Sequence, residues 1–165
     1  MEQDPSHETT PGGTDSVLDE DTGLPNMFGW EAILRIEEDR CRRYGANPAI
    51  IAVEIVGVRG LAPADVSGPD VARLVADTLV RCSRESDTVA RVAPARFAVL
   101  ALESAAMASV VVDRLRGALA AAGVMALFGV SPRGSGLGDA LRVASGAHPA
   151  RWIPFELPPG QPHPN

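Results

Sequence analysis

Arg84 and Asp87 set an arginine and an aspartate three residues apart, residue types capable of ligand chemistry at a spacing that chance alone supplies in a chain this rich in both. An arginine fork grips a phosphate or the Hoogsteen edge of a guanine, and a carboxylate accepts N–H donors. The plainer role for Asp87 is to cap a turn after a helix, because aspartate readily hydrogen-bonds nearby backbone in turns. Glu54 stands alone in an apolar run, and Arg96 opens another, so each of two β-type segments carries one charge. Cys41 and Cys82 have neither Cys-x-x-Cys spacing nor a histidine partner, which reads as two buried free thiols.

All fifteen basic residues are arginine and none is lysine. A phosphate-clamping surface would exploit arginine's bidentate fork, but a genome-wide codon bias explains the pattern more simply. The net charge of −6 argues against a nucleic-acid partner, since a phosphate backbone rewards clustered cations. No basic-then-apolar leader and no apolar run of membrane-spanning length is found, so a cytoplasmic protein without a membrane partner is expected.

These residues need a scaffold, and 165 residues with 45% apolar content suffice for one core. Residues 1–17 are acidic and polar, the composition of a disordered tail. Residues 152–165 are proline-rich and suit neither helix nor central strand, which leaves 18–151 as the folded domain.

Trp30, Ile33, Leu34, Cys41 and Tyr44 recur at helical spacing from Met27 to Tyr44, and Gly45 is placed to stop that helix. Ala49 to Val58 reads as a buried strand. Pro69 begins a second helix with Val71, Leu74, Val75, Leu79 and Cys82 on one stripe. Thr88–Val92 and Arg96–Leu102 predict a hairpin around Ala93, Pro94 and Ala95. A third helix over about Ala105–Ala122, a strand over Val124–Val130 and a short helical segment over Leu137–Ser145 follow. The predicted fold class is therefore α+β: a leading helix, then a ferredoxin-like, nucleotide-cyclase-like β-α-β-β-α-β core with a central antiparallel sheet. That topology hosts many unrelated functions.

Asp19-Glu20-Asp21-Thr22-Gly23-Leu24-Pro25-Asn26 resembles the opening D-x-L-T-G-L-P-N of GGDEF (diguanylate cyclase) domains, with Asp21 in the place of leucine. Arg84 to Val92 is similar to that family's R-x-x-D-x-x-A-R-x, and Phe97-Ala98-Val99-Leu100 to its F-A-V-L. Phe128-Gly129-Val130 resembles its later S-I-G-V strand. Alone, T-G-L-P-N reads as a turn with Thr22 capping a helix that Pro25 starts. The resemblance runs from Asp19 to about Ala144, in one register apart from a small indel near Gly68.

The resemblance implies a strand carboxylate and a turn carboxylate that hold magnesium against GTP, since magnesium demands hard oxygen ligands. Glu54 occupies the strand position, and Ala93-Pro94-Ala95-Arg96-Phe97 replaces G-G-D-E-F. Ala93 and Pro94 deny the backbone freedom of two glycines, and Ala95 removes the carboxylate. A cation about 4 Å from a divalent ion costs roughly 4 kcal/mol per unit charge at an effective dielectric near 20, which is what Arg96 adds. Ala62 stands where the family reads guanine with Asn, and Asp70 matches a second guanine contact only loosely across the indel. The family's last-helix Lys and Arg have no counterpart, because that helix breaks near Gly146 and Pro149.

These departures imply a catalytically inactive domain with no metal or cofactor, and a surviving cyclase is the least favoured reading. Glu54 and Arg96 are expected to face each other across the old metal site as an ion pair, or else to be two solvated charges. The family's R-x-x-D site makes Arg84 and Asp87, with Arg114 or Arg116, candidates for binding cyclic di-GMP. The alternative is a nucleotide-free module that contacts a protein partner or a second copy of itself.

Overall fold

A computed structural model describes residues 16–45, 48–102 and 107–131. The expected helical segment at 137–145, the break near Gly146 and both terminal tails, apart from Ser16 and Val17, lie outside the described residues.

Helix α1 spans Met27–Tyr44. Its start is fixed by Asn26, whose side chain accepts from the backbone N–H groups of Phe28 and Gly29, so asparagine rather than Thr22 supplies the cap. Gly45 ends it in the left-handed region at φ 68° and donates to the Cys41 carbonyl. Trp30 and Leu34 are buried, with Ile33 and Cys41 packed beside them. Tyr44, expected on the apolar stripe, is 76% exposed. The buried positions lie in the first half of the helix, and the last turn carries the solvated Arg42 and Arg43.

Strand β1 covers Ala49–Val58, helix α2 Pro69–Cys82, and strands β2 and β3 Thr88–Ala93 and Arg96–Ala101. Helix α3 runs over Ala108–Ala121, its expected start at Ala105 lying outside the described residues, and strand β4 over Val124–Val130. The four strands form one antiparallel sheet in the order β2-β3-β1-β4. This is the split β-α-β arrangement that the element order predicts.

Because side chains alternate across a strand, β1 feeds two cores. Ile51, Val53 and Ile55 pack with Val71, Val75 and Leu79 of α2 and with Val112, Leu115 and Leu119 of α3. Ile50 and Ala52 join Trp30 and Leu34 of α1, together with Ala90, Ala98 and Leu100. Covering the sheet on both faces explains why β1 reads as an almost unbroken apolar run. Leu74 departs from its expected stripe and is partly exposed, because Ala72 and Ala76 share the inward face with Val71, Val75 and Leu79. The cysteines are free but half-buried rather than buried, and they flank different cores. No helix among the described residues is long and apolar enough to cross a membrane.

Candidate functional site

The site is assembled where the 16–26 segment meets the β2–β3 hairpin. Asp19 closes that segment into a tight loop. Its Oδ1 accepts from the Thr22 backbone N–H at 3.0 Å and from the Thr22 hydroxyl at 2.8 Å. Gly23 turns the chain at φ 70°, and Leu18 bridges to Pro25. Asn26 donates from its backbone to the Val17 carbonyl, so Val17 belongs to the folded loop rather than to a tail. A Cβ on Gly29 would collide with that same carbonyl, which makes glycine the residue that lets the loop cross α1.

Arg91 fastens this loop to the hairpin. Its side chain, only 6% exposed, donates from Nη1 to Asp21 at 2.7 Å and to both Asp19 oxygens at 3.1 and 3.2 Å. Nε and Nη2 reach the Pro94 carbonyl at 3.3 and 3.1 Å. Burial pushes Asp19 up, but hydrogen bonds from Thr22 and Arg91 and the Arg91 charge outweigh it and hold the carboxyl below its ordinary value. Burial likewise opposes the Arg91 charge, and the two carboxylates more than restore it.

The hairpin turn is shorter than expected. Strand β2 continues through Ala93, which pairs with Arg96, and a bulge between Arg91 and Ala93 absorbs the register shift. Only Pro94 and Ala95 remain in the turn, and no residue but glycine has a positive φ among the described residues. Both turn carbonyls have donors: Arg91 binds that of Pro94, and the Ile55 N–H binds that of Ala95 at 2.9 Å. Phe97, the last residue of the replaced signature, is buried in the core.

Glu54 lies mid-strand in β1, at the last pair of the β1–β3 ladder opposite Arg96. The Arg96 guanidinium meets its carboxylate at 3.3 Å, so the expected ion pair is formed, with both side chains partly solvated. The magnesium that the sequence resemblance implies does not suit these residues. Alanine stands in the turn, a cation follows it, and that cation already occupies the Glu54 carboxylate. Asp19 and Asp21 do converge, but on a guanidinium.

Arg84 and Asp87 line a concavity of about 300 Å³ with Leu24, Val80, Ser83, Glu85, Thr88 and Val89. Asp87 is committed to the backbone: one oxygen accepts from the Arg84 N–H at 3.0 Å and the other from the Leu102 N–H at 3.3 Å. Arg116 is not brought to this pair. It stacks 5.6 Å from the Phe128 ring on β4, the opposite sheet edge, and pairs with Asp113 at 2.9 Å. Arg114 is exposed on α3. Ala62 is exposed in the connection after β1, and Asp70 sits solvated in the first turn of α2, paired with Arg73 at 3.1 Å.

By sequence, no family model and no curated protein matches the chain. By structure, it resembles the diguanylate cyclase SiaD of Pseudomonas aeruginosa, solved with its activator SiaC. The TM-score is 0.68 at 24% identity, over 79% of this chain and 55% of that one. The GGDEF domain of DgcB from Caulobacter crescentus, in complex with c-di-GMP, superposes with TM-score 0.66 at 18% identity, over 79% of this chain and 86% of that one.

The fold is that of a GGDEF domain.

The GGDEF domain of FimX from Pseudomonas aeruginosa is similar too, with TM-score 0.64 at 18% identity over 79% of this chain and 90% of that one. This chain thus spans little more than half of the SiaD chain and most of the isolated GGDEF domains. The loop–hairpin latch of Asp19, Asp21 and Arg91 was not singled out from the sequence. The signal was present in the two motif segments, but only folding shows that residues 70 apart converge.

Proposed function

We propose that this GGDEF-fold domain is a non-catalytic regulatory module, descended from a cyclase scaffold and acting by binding. The observation that carries the reading is the Arg96–Glu54 pair at 3.3 Å. A cation sits where the cyclase signature would put an acid, and it neutralises the one carboxylate left at the strand position. With Ala95 in the turn and Ala62 on the following connection, neither metal nor guanine has its expected contacts. The purified protein, incubated with GTP and magnesium or manganese, is expected to form no cyclic di-GMP. Detectable product, lost on Glu54→Gln substitution, would overturn the reading.

Cyclic di-GMP is the ligand that the concavity at Arg84 and Asp87 suits best, since an arginine beside a carboxylate meets both phosphate and guanine N–H groups. SiaD, solved with an activator protein, and DgcB, solved with c-di-GMP, illustrate the two classes of partner open to the fold. The second reading, a nucleotide-free protein-contact module, is favoured by the commitment of both Asp87 oxygens to backbone donors. Calorimetric titration with cyclic di-GMP separates them. Binding abolished by Arg84→Ala supports the nucleotide receptor, and no heat at all supports the protein-contact module.

A further inference from the structure

Beside the hairpin turn, on the α1 side, two adjoining concavities of about 420 and 390 Å³ share Asp19, Asp21, Asn26 and Phe28. Their walls are apolar and open: Phe28 is 66% exposed, and Leu18 and Met27 are solvent-facing beside it. Large apolar side chains clustered in an open groove mark a surface that another segment covers. The rim carries Asp19, Glu20 and Asp21 against the single guanidinium of Arg91, which is already bound to two of them. The complementary occupant is apolar and carries a positive charge.

We propose that the occupant is the chain's own segment Arg151-Trp152-Ile153-Pro154-Phe155-Glu156-Leu157. Residues 1–15 are the wrong chemistry, with Glu2, Asp4, Glu8 and Asp15, no arginine, and only Met1 as a large apolar side chain. Residues 151–157 instead place one arginine at the leading end, before Trp152, Ile153, Phe155 and Leu157, with the one acid, Glu156, at the far end, so it is the Arg151 end that meets the acidic rim. Tryptophan and arginine are the side chains that most often anchor such contacts. Pro154 pre-sets an extended backbone, the form in which a short segment lies along a groove at low entropic cost. The tether reaches. β4 delivers the chain at the Ile51 end of the sheet, opposite the hairpin turn. The twenty residues from Ser131 to Arg151 span up to roughly 65 Å when extended. A domain of this size is on the order of 35 Å across.

Docking of this segment covers Phe28 and the hairpin flank, so a partner for that face must displace it. The test uses the full chain and its two tryptophans. Trp30 is fully buried, so acrylamide quenching reports Trp152, while the buried emission of Trp30 reports the fold. Trp152 is expected to be protected from quencher, independently of protein concentration. Phe28→Asp is expected to remove that protection. Glu20→Arg, at an exposed site that folding tolerates, is expected to weaken it, and adding Arg151→Glu to restore it. Free quenching of Trp152 in the unaltered chain would overturn the proposal. So would protection indifferent to both groove substitutions, or protection only at high concentration, which would place the segment on a second copy.

Discussion

Arg91 and Asp21, separated by seventy residues of chain, meet at 2.7 Å. Asp19 joins from the other side at 3.1 Å, so one guanidinium holds a loop preceding α1 against the turn of a central hairpin. The pairing is local in space and remote in sequence, and it fixes how the D-x-D-T-G-L-P-N segment lies.

Arg91→Ala is expected to destabilise the domain by about 3 kcal/mol, because breaking a buried pair leaves its partners without their counter-charge. Arg91→Lys should recover only part of this, since lysine cannot serve two carboxylates and the Pro94 carbonyl with one planar fork. Urea denaturation of both variants measures the difference. A loss below about 0.5 kcal/mol, typical of surface substitutions, would contradict the latch.

Asp19 gives the latch an acid limit. Its folded pKa lies below the unfolded value, so the stabilisation is fully present above about pH 4, the ordinary carboxylate range, and fades as pH falls through the folded value. Stability of the Asp19→Asn variant is expected to vary less with pH in that window. Thermal melts between neutral pH and pH 2 show this as a flatter curve.

Asp87 holds its corner through backbone donors. Asp87→Ala removes acceptors for two backbone N–H groups and is expected to cost about 1–2 kcal/mol. Asp87→Asn keeps one acceptor oxygen and is expected to recover part of that loss. Urea denaturation of both variants measures the difference, and a loss below about 0.5 kcal/mol for Asp87→Ala would contradict the role of these two bonds.

Cys41 should react slowly. Burial first, and then the charge of Glu37, push its thiol up, so less thiolate is present at a given pH. Alkylation by iodoacetamide at pH 8 is expected to be slower at Cys41 than at a cysteine in the unfolded chain, and Glu37→Gln should speed it. Peptide mapping after timed labelling follows the site directly.

Much of the scaffold could be read from one dimension because its signals are local. Gly45 after Tyr44 and Pro69 at the start of α2 each act on their own backbone, and α1 stops and α2 starts where those residues put them. The near-continuous apolar run of Ala49–Val58 read as a buried strand, and β1 is covered on both faces. Even Glu54 facing Arg96 was legible, because strand order and motif register together set that pair.

What the tertiary structure alone decided is who meets whom across long separations. The sequence offers fifteen arginines of one type, and nothing local distinguishes Arg91, drawn inward by two aspartates, from Arg116, drawn onto an aromatic ring at the far edge. A bulge between Arg91 and Ala93 shortened the turn beside the residue that binds the loop. Charge partners are fixed by distances that only packing sets. Hydrophobic periodicity therefore determined the frame, and the closing of that frame chose which charges became a latch, a cap or an open rim.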